Sequence, residues 1–176
     1  MIGHRKVLAA VGVLLATTAL QGSAAAAVRQ RTFSNHGISF AYPAAWHATS
    51  KPLSNGAQPV YRFAVGNFRF HRTSRDLGPC LQGIARQRPK DGVLAFMREA
   101  LGADARRARS TARPKNIPLP RGSEQAACIG PATSEIVFHQ AGRVFYLWIS
   151  VAPDASRRDK HRLHSLLNAM KIKPKS

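Results

Sequence analysis

Residues 133–151 read TSEIVFHQAGRVFYLWISV. Arg143 to Val151 is the strongest strand signal in the chain, rich in aromatic and β-branched residues. Thr133 to His139 is a second strand, and Ala141-Gly142 is a turn signal between them. The three segments predict a β-hairpin. Pro153 closes it, and Ser156 with Asp159 then has the spacing of a capping box. A helix is expected from there to about Lys171, with Leu163, Leu166, Leu167 and Met170 on one face.

Upstream, Thr32–Ser34 and Ile38–Tyr42 read as short strands around the turn signal Asn35-His36-Gly37, and Trp46 is expected in the core. Val60–Val65 reads as a strand, followed by a second over Phe68–Phe70 or by a bulge at Gly66. Ala126–Ile129 is a further short strand. Pro79–Gln87 reads as a short helix weakened by Gly83. Asp91–Leu101 reads as a better helix, capped by Asp91, with Val93, Leu94, Met97 and Leu101 on one face and Gly102 as its stop. Residues 103–122, rich in Ala, Arg and Pro, are expected to cross the surface. Helices inserted among short strands predict an α+β fold, with helices packed on an antiparallel sheet.

The chain has 176 residues, enough for one domain. Its first 27 residues have the layout of a secretory signal peptide. His4, Arg5 and Lys6 precede an apolar run, Val7–Leu20, and Ala25 and Ala27 stand in an A-x-A arrangement before Val28. The run is short for a membrane-spanning helix, which needs about 20 apolar residues. The alternative is an uncleaved N-terminal anchor. Residues 28–176 are then a single α+β domain with no transmembrane helix after cleavage. Export favours a disulfide between Cys80 and Cys128, the only two cysteines, over two buried thiols.

The stretch Gly37-Ile38-Ser39-Phe40-Ala41-Tyr42-Pro43 followed by Trp46 resembles the opening of PsbP-like domains. The terminal Leu166-Leu167-Asn168-Ala169-Met170 resembles their end. The resemblance implies a central antiparallel sheet flanked by helices. It implies no chemistry, because one fold hosts many functions.

Catalytic signatures are missing from the sequence. There is no G-x-S-x-G, G-x-G-x-x-G or H-E-x-x-H. Gly78 and Gly83 have P-loop spacing, but Ile84-Ala85 follows them. His161 and His164 could share a metal ion, with Asp159 or His139 as a third ligand, but Arg157, Arg158, Lys160 and Arg162 oppose a cation there. Glu99 reads as a helix-surface partner for an arginine, and Glu135 as a solvent-facing charge on a strand. No catalytic residue, metal or cofactor is expected.

Charge is the feature that points to a partner. There are 27 Lys+Arg and 8 Asp+Glu, a net charge of +19. Residues 1–27 hold two of those bases and no acid, so a cleaved chain carries +17. Such a field attracts polyanions. The candidate anion-binding residues are Arg106, Arg107, Arg109 and Arg113, with Arg157, Arg158 and Arg162 on the terminal helix. Lys171, Lys173 and Lys175 form another cluster, and Arg69, Arg72 and Arg75 one more. The expectation is an exported, non-catalytic binding or scaffold domain. Its partners are anionic envelope polymers, lipid headgroups or acidic proteins. The alternatives are an envelope enzyme built around His139, His161 or Glu135, and a non-specific polyanion or nucleic-acid binder without sequence preference.

Overall fold

The computed structural model describes residues 29–53, 60–71, 84, 87–121, 125–126 and 130–175. Among these residues, two sheets and two multi-residue helices make up the regular elements. The expected hairpin forms the centre of the larger sheet. Strand β9 (Thr133–Gln140) pairs antiparallel with β10 (Arg143–Val151) across a two-residue turn. Ala141 and Gly142 both have positive φ, at 54° and 71°, as a type I′ turn requires.

On its other side β10 pairs with β5 (Val93–Ala100), and β5 pairs with β4 (Val60–Gly66), whose outer neighbour is β3 (His47–Thr49). All these long pairings are antiparallel. Only the two-residue strands β6 (Thr111–Ala112) and β7 (Gln125–Ala126) run parallel to β9. Strand β8 (Gly130–Pro131) pairs with β7.

The helix expected over Asp91–Leu101 is a strand. Every residue of β5 is buried, because both faces of this central strand are covered. Val93, Ala95 and Met97 enter one core, and Leu94 and Phe96 enter another. A continuous apolar run of this length fits a doubly buried strand as well as a helix, and periodicity alone does not separate them. Gly102 does not stop a helix but begins one, α1 (Gly102–Arg107).

The larger core lies on one face of the sheet. There Phe63, Met97, Phe138, Phe145, Leu147 and Ile149 meet two covering layers. One is α2 (Arg157–Ala169), which presents Leu163, Leu166 and Leu167. The other is a small sheet of β1 (Gln30–Asn35), β2 (Ile38–Pro43) and β11 (Lys171–Ile172). Phe33 and Phe40 stack there at 4.8 Å, with Phe63 tilted against both at 5.8 and 4.9 Å, and Trp46 is buried in the same core. The N-cap forms as expected, with one half of the capping box: Ser156 Oγ accepts from the Asp159 backbone N–H at 3.0 Å, and it donates to the Asp159 carboxylate at 2.9 Å. The terminal helix ends at Ala169 rather than Lys171, since Lys171 and Ile172 pair with β2.

The sequence placed a possible bulge at Gly66. The register instead shifts between Tyr61 and Phe63, leaving Arg62 as the extra residue. That insertion puts Tyr61 in the smaller core and returns Phe63 and Val65 to the larger one. Phe68–Phe70 is not a strand. The short helix expected over Pro79–Gln87 falls mostly outside the described residues, as do residues 127–129, Arg72 and Arg75. So do Cys80 and Cys128, and the whole of residues 1–27.

The turn joining β1 to β2 is also two-residue, with His36 at φ 50° and Gly37 at 72°. A Cβ on Gly37 would stand 3.1 Å from Arg143 Nη1, whereas one on Gly142 would meet nothing within 4 Å. Gly142→Ala should therefore cost only the left-handed backbone term, about 1–2 kcal/mol. Gly37→Ala should cost measurably more in urea unfolding, because it also displaces Arg143. Equal losses would mean that the contact with Arg143 contributes nothing.

Candidate functional site

Glu99 lies near the end of β5, on the same face as Met97 and the larger core. Its carboxylate is buried at 2% exposure and is held from two sides. Arg143 donates to it through Nε at 3.0 Å and Nη2 at 2.7 Å, a bidentate pair reaching diagonally across β10. Arg62 donates through Nε at 2.6 Å. The bulge explains this third member, since an extra residue re-aims a side chain out of the normal alternation. Glu99 is thus an arginine partner, as its sequence reading suggested, but in the interior and not on a helix surface.

Arg143 does more than neutralise Glu99. Its Nη1 donates to the carbonyls of His36 at 2.9 Å and Lys173 at 3.2 Å. Its guanidinium carbon also lies 4.9 Å from the centre of the Phe145 ring. One side chain therefore ties the central sheet to the β1–β2 turn and to the C-terminal tail. The tail is fixed a second time by the Lys173 N–H, which donates to the Gly37 carbonyl at 2.8 Å.

Between these groups lies a cavity of about 450 Å³, lined by His36, Gly37, Arg62, Arg143, Pro174 and Lys175. Two further cavities are also basic. One of about 610 Å³ includes His47, Lys51, Arg69, Phe70 and His71. One of about 470 Å³ includes Gln30, His161, Arg162 and Ser165. No carboxylate lines any of the three among the described residues.

Burial alone would raise the Glu99 pKa. Hydrogen bonds from Arg143 and Arg62, reinforced by their charges, outweigh it and hold the carboxyl below its ordinary value of 4.5. His36 is lowered from 6.5 by partial burial first, then by the charges of Arg62 and Arg143, against a smaller opposing effect of Glu99. His47 is lowered in the same way, by burial and then by Arg69 and Arg31.

The candidate arginines do not form one patch. Arg113 donates through Nη1 to the carbonyl of Met170 and through Nη2 to that of Leu167, each at 2.6 Å. It also reaches the Gln140 side chain at 3.0 Å. It closes the C-terminus of α2, where carbonyls lack helical partners, so its terminal nitrogens are committed within the fold. Arg106, Arg107 and Arg109 are exposed, on or just after α1. Arg157 and Arg158 are exposed at the opposite, N-terminal end of α2, about 18 Å from its C-terminus. Arg162 is half-buried and lies 3.7 Å from Asp159. Sequence reading grouped Arg113 with its neighbours and left out Arg62 and Arg143. Only the bulge and the strand register bring those two together, and neither has a sequence signal here.

Groups of three or more potential ligands for a metal ion are absent among the described residues. His164 instead lies 3.1 Å from the Asn168 side-chain nitrogen, and Asn168 accepts the Ile117 N–H at 2.9 Å. Glu135 and His139 are exposed on β9. Glu135 accepts from Trp148 Nε1 at 2.9 Å, on the face of the smaller core. His161 lies on α2, which covers the other face. The sheet separates His161 from the other two, so the three share no cleft. No helix among the described residues is long and apolar enough to cross a membrane. No family model, curated protein or solved structure matches the chain.

Removing one member of a buried ionic group strands the others, at a typical cost of about 3–5 kcal/mol. Glu99→Gln should lower the unfolding free energy by an amount in that range. A carboxyl whose folded pKa is depressed stabilises above its unfolded pKa, and that contribution is lost as pH falls through the folded value. Wild-type stability should therefore fall below pH about 4.5, and urea unfolding of Glu99→Gln should show a flatter acid limb. An unchanged acid limb would remove Glu99 from the account of acid sensitivity.

Proposed function

We propose that the protein is an exported, non-catalytic binding domain that attaches electrostatically to anionic material of the cell envelope. The observation that carries this reading is the exposure of its arginines without acidic partners. Among the described residues, the ion pairs use only Glu99 and Asp159 as acids. Arg106, Arg107, Arg109, Arg157 and Arg158 therefore keep their full charge at the surface. Basic cavities without carboxylates support the same polarity of partner.

Cleavage after a signal segment at residues 1–27 and a Cys80–Cys128 disulfide belong to this proposal, supported by the sequence layout alone. So does the PsbP-like resemblance. The α+β architecture and the burial of Phe40, Tyr42 and Trp46, which carry the likeness, support it.

The two exposed clusters, one on and just after α1 and one at the N-terminal end of α2, suit a broad charged surface better than a single small ligand. Each arginine near an anionic membrane contributes about 1 kcal/mol, and the attraction is screened within a Debye length. Residues 28–176 should co-sediment with vesicles containing an anionic phospholipid, and not with neutral ones, at low salt. Binding should be lost at high salt. Replacing Arg157 and Arg158 by Gln should weaken it by about 2 kcal/mol together. Binding that resists salt, or that neutral vesicles match, would count against the proposal.

A further inference from the structure

The cavity at the end of β5 differs in kind from the exposed clusters. Its charges are fixed by the fold. Arg143 is buried, and four contacts hold its guanidinium in place. Arg62 is 11% exposed and spends only Nε on Glu99, leaving Nη1 and Nη2 without a partner among the described residues. Lys175 brings a third cation on the tail that Arg143 and Gly37 anchor. Glu99 is the one acidic side chain paired with these groups among the described residues. Among the described residues, three cations around one buried carboxylate leave two positive charges uncompensated.

We infer that this cavity, lined by His36, Gly37, Arg62, Arg143 and Lys175, is a binding site for a phosphate dianion, either free or at the end of a larger molecule. A phosphoryl dianion matches the charge excess, where a carboxylate would offset half of it. Arg62 presents the remaining planar pair of nitrogens that suits bidentate contact with phosphoryl oxygens. Lys175 supplies a point charge from the C-terminal tail. The cavity, at about 450 Å³, is in the size range of small-ligand sites, with room for the first atoms of an attached group. His36 sits at the rim and would report the bound charge, since an anion opposes the field of Arg62 and Arg143 at its ring.

The inference rests on the reading of the protein as an anion binder but uses different residues from those of vesicle attachment. Loss of phosphate binding with vesicle attachment intact overturns only the cavity site. Loss of vesicle attachment with phosphate binding intact overturns only the surface reading.

The test is calorimetric titration of the full chain, at mildly alkaline pH, with inorganic phosphate, methyl phosphate and acetate. Saturable binding of both phosphates at one site, with acetate at least about tenfold weaker, is expected. Tighter binding of methyl phosphate assigns the site to a phosphate carried on a larger molecule; tighter inorganic phosphate assigns it to the free ion. Arg62→Gln should weaken binding about tenfold or more. Because that change also touches Glu99, Lys175→Gln on the exposed tail serves as a second variant and should weaken binding several-fold without changing the fold. The histidine ring signals of the wild type should place the His36 pKa higher with phosphate than without. Acetate binding as tightly as phosphate, no saturable binding of either phosphate, or wild-type affinity in both variants overturns the inference.

Discussion

A single carboxylate buried between two guanidinium groups holds one end of this molecule together. Taking Glu99 and Arg143 out of water is costly, and the cost is offset only when geometry and the remaining hydrogen bonds are complete. Here they are. Glu99 receives three N–H groups, and Arg143 places its spare donors on two backbone carbonyls. Those carbonyls belong to the β1–β2 turn and the C-terminal tail. The charge pair therefore fixes chain segments far apart in sequence, and it passes so close to Gly37 that a Cβ there would press on Arg143 Nη1 at 3.1 Å. The bulge at Arg62 serves both the register of Phe63 and the third contact to Glu99.

The positive charge of the protein divides accordingly into two kinds. Arg62, Arg143 and Arg113 are bound into the fold, and their donors define the sheet end and the C-terminus of α2. Arg106, Arg107, Arg109, Arg157 and Arg158 are solvated and free to meet a partner. The first kind gives a fixed, shaped positive site; the second gives a long-range field sensitive to salt. A chain with 27 bases and 8 acids can supply both at once: one acid, Glu99, locates two arginines in the fold, and the remaining acids are too few to balance the bases.

How far the sequence reading reached depended on whether the signal was local. The β9–β10 hairpin, the His36-Gly37 turn and the Ser156 cap are written in residues a few positions apart, and each formed where its chemistry placed it. Strand β5 failed because Val93, Leu94 and Met97 fit a helical face while the run is buried on both sides, a fact that belongs to the other strands. The candidate site failed for the same reason. Arg62, Glu99 and Arg143 are 37 and 44 residues apart, and only a bulge and a sheet register bring them together. Arg113 looked like one more member of a basic run, yet the carbonyls of Leu167 and Met170 claim it.

The charge state of Glu99 decides whether this arrangement exists in solution. Its side-chain carboxyl carbon can be followed by NMR across an acid titration of the protein. The expected result is a single transition displaced below the ordinary carboxylate range, moving back toward that range when Arg62 is replaced by Gln. A Glu99 carboxyl that titrates at or above 4.5, indifferent to Arg62, would contradict the proposed role of the two arginines and with it the fixed positive site at the end of the sheet.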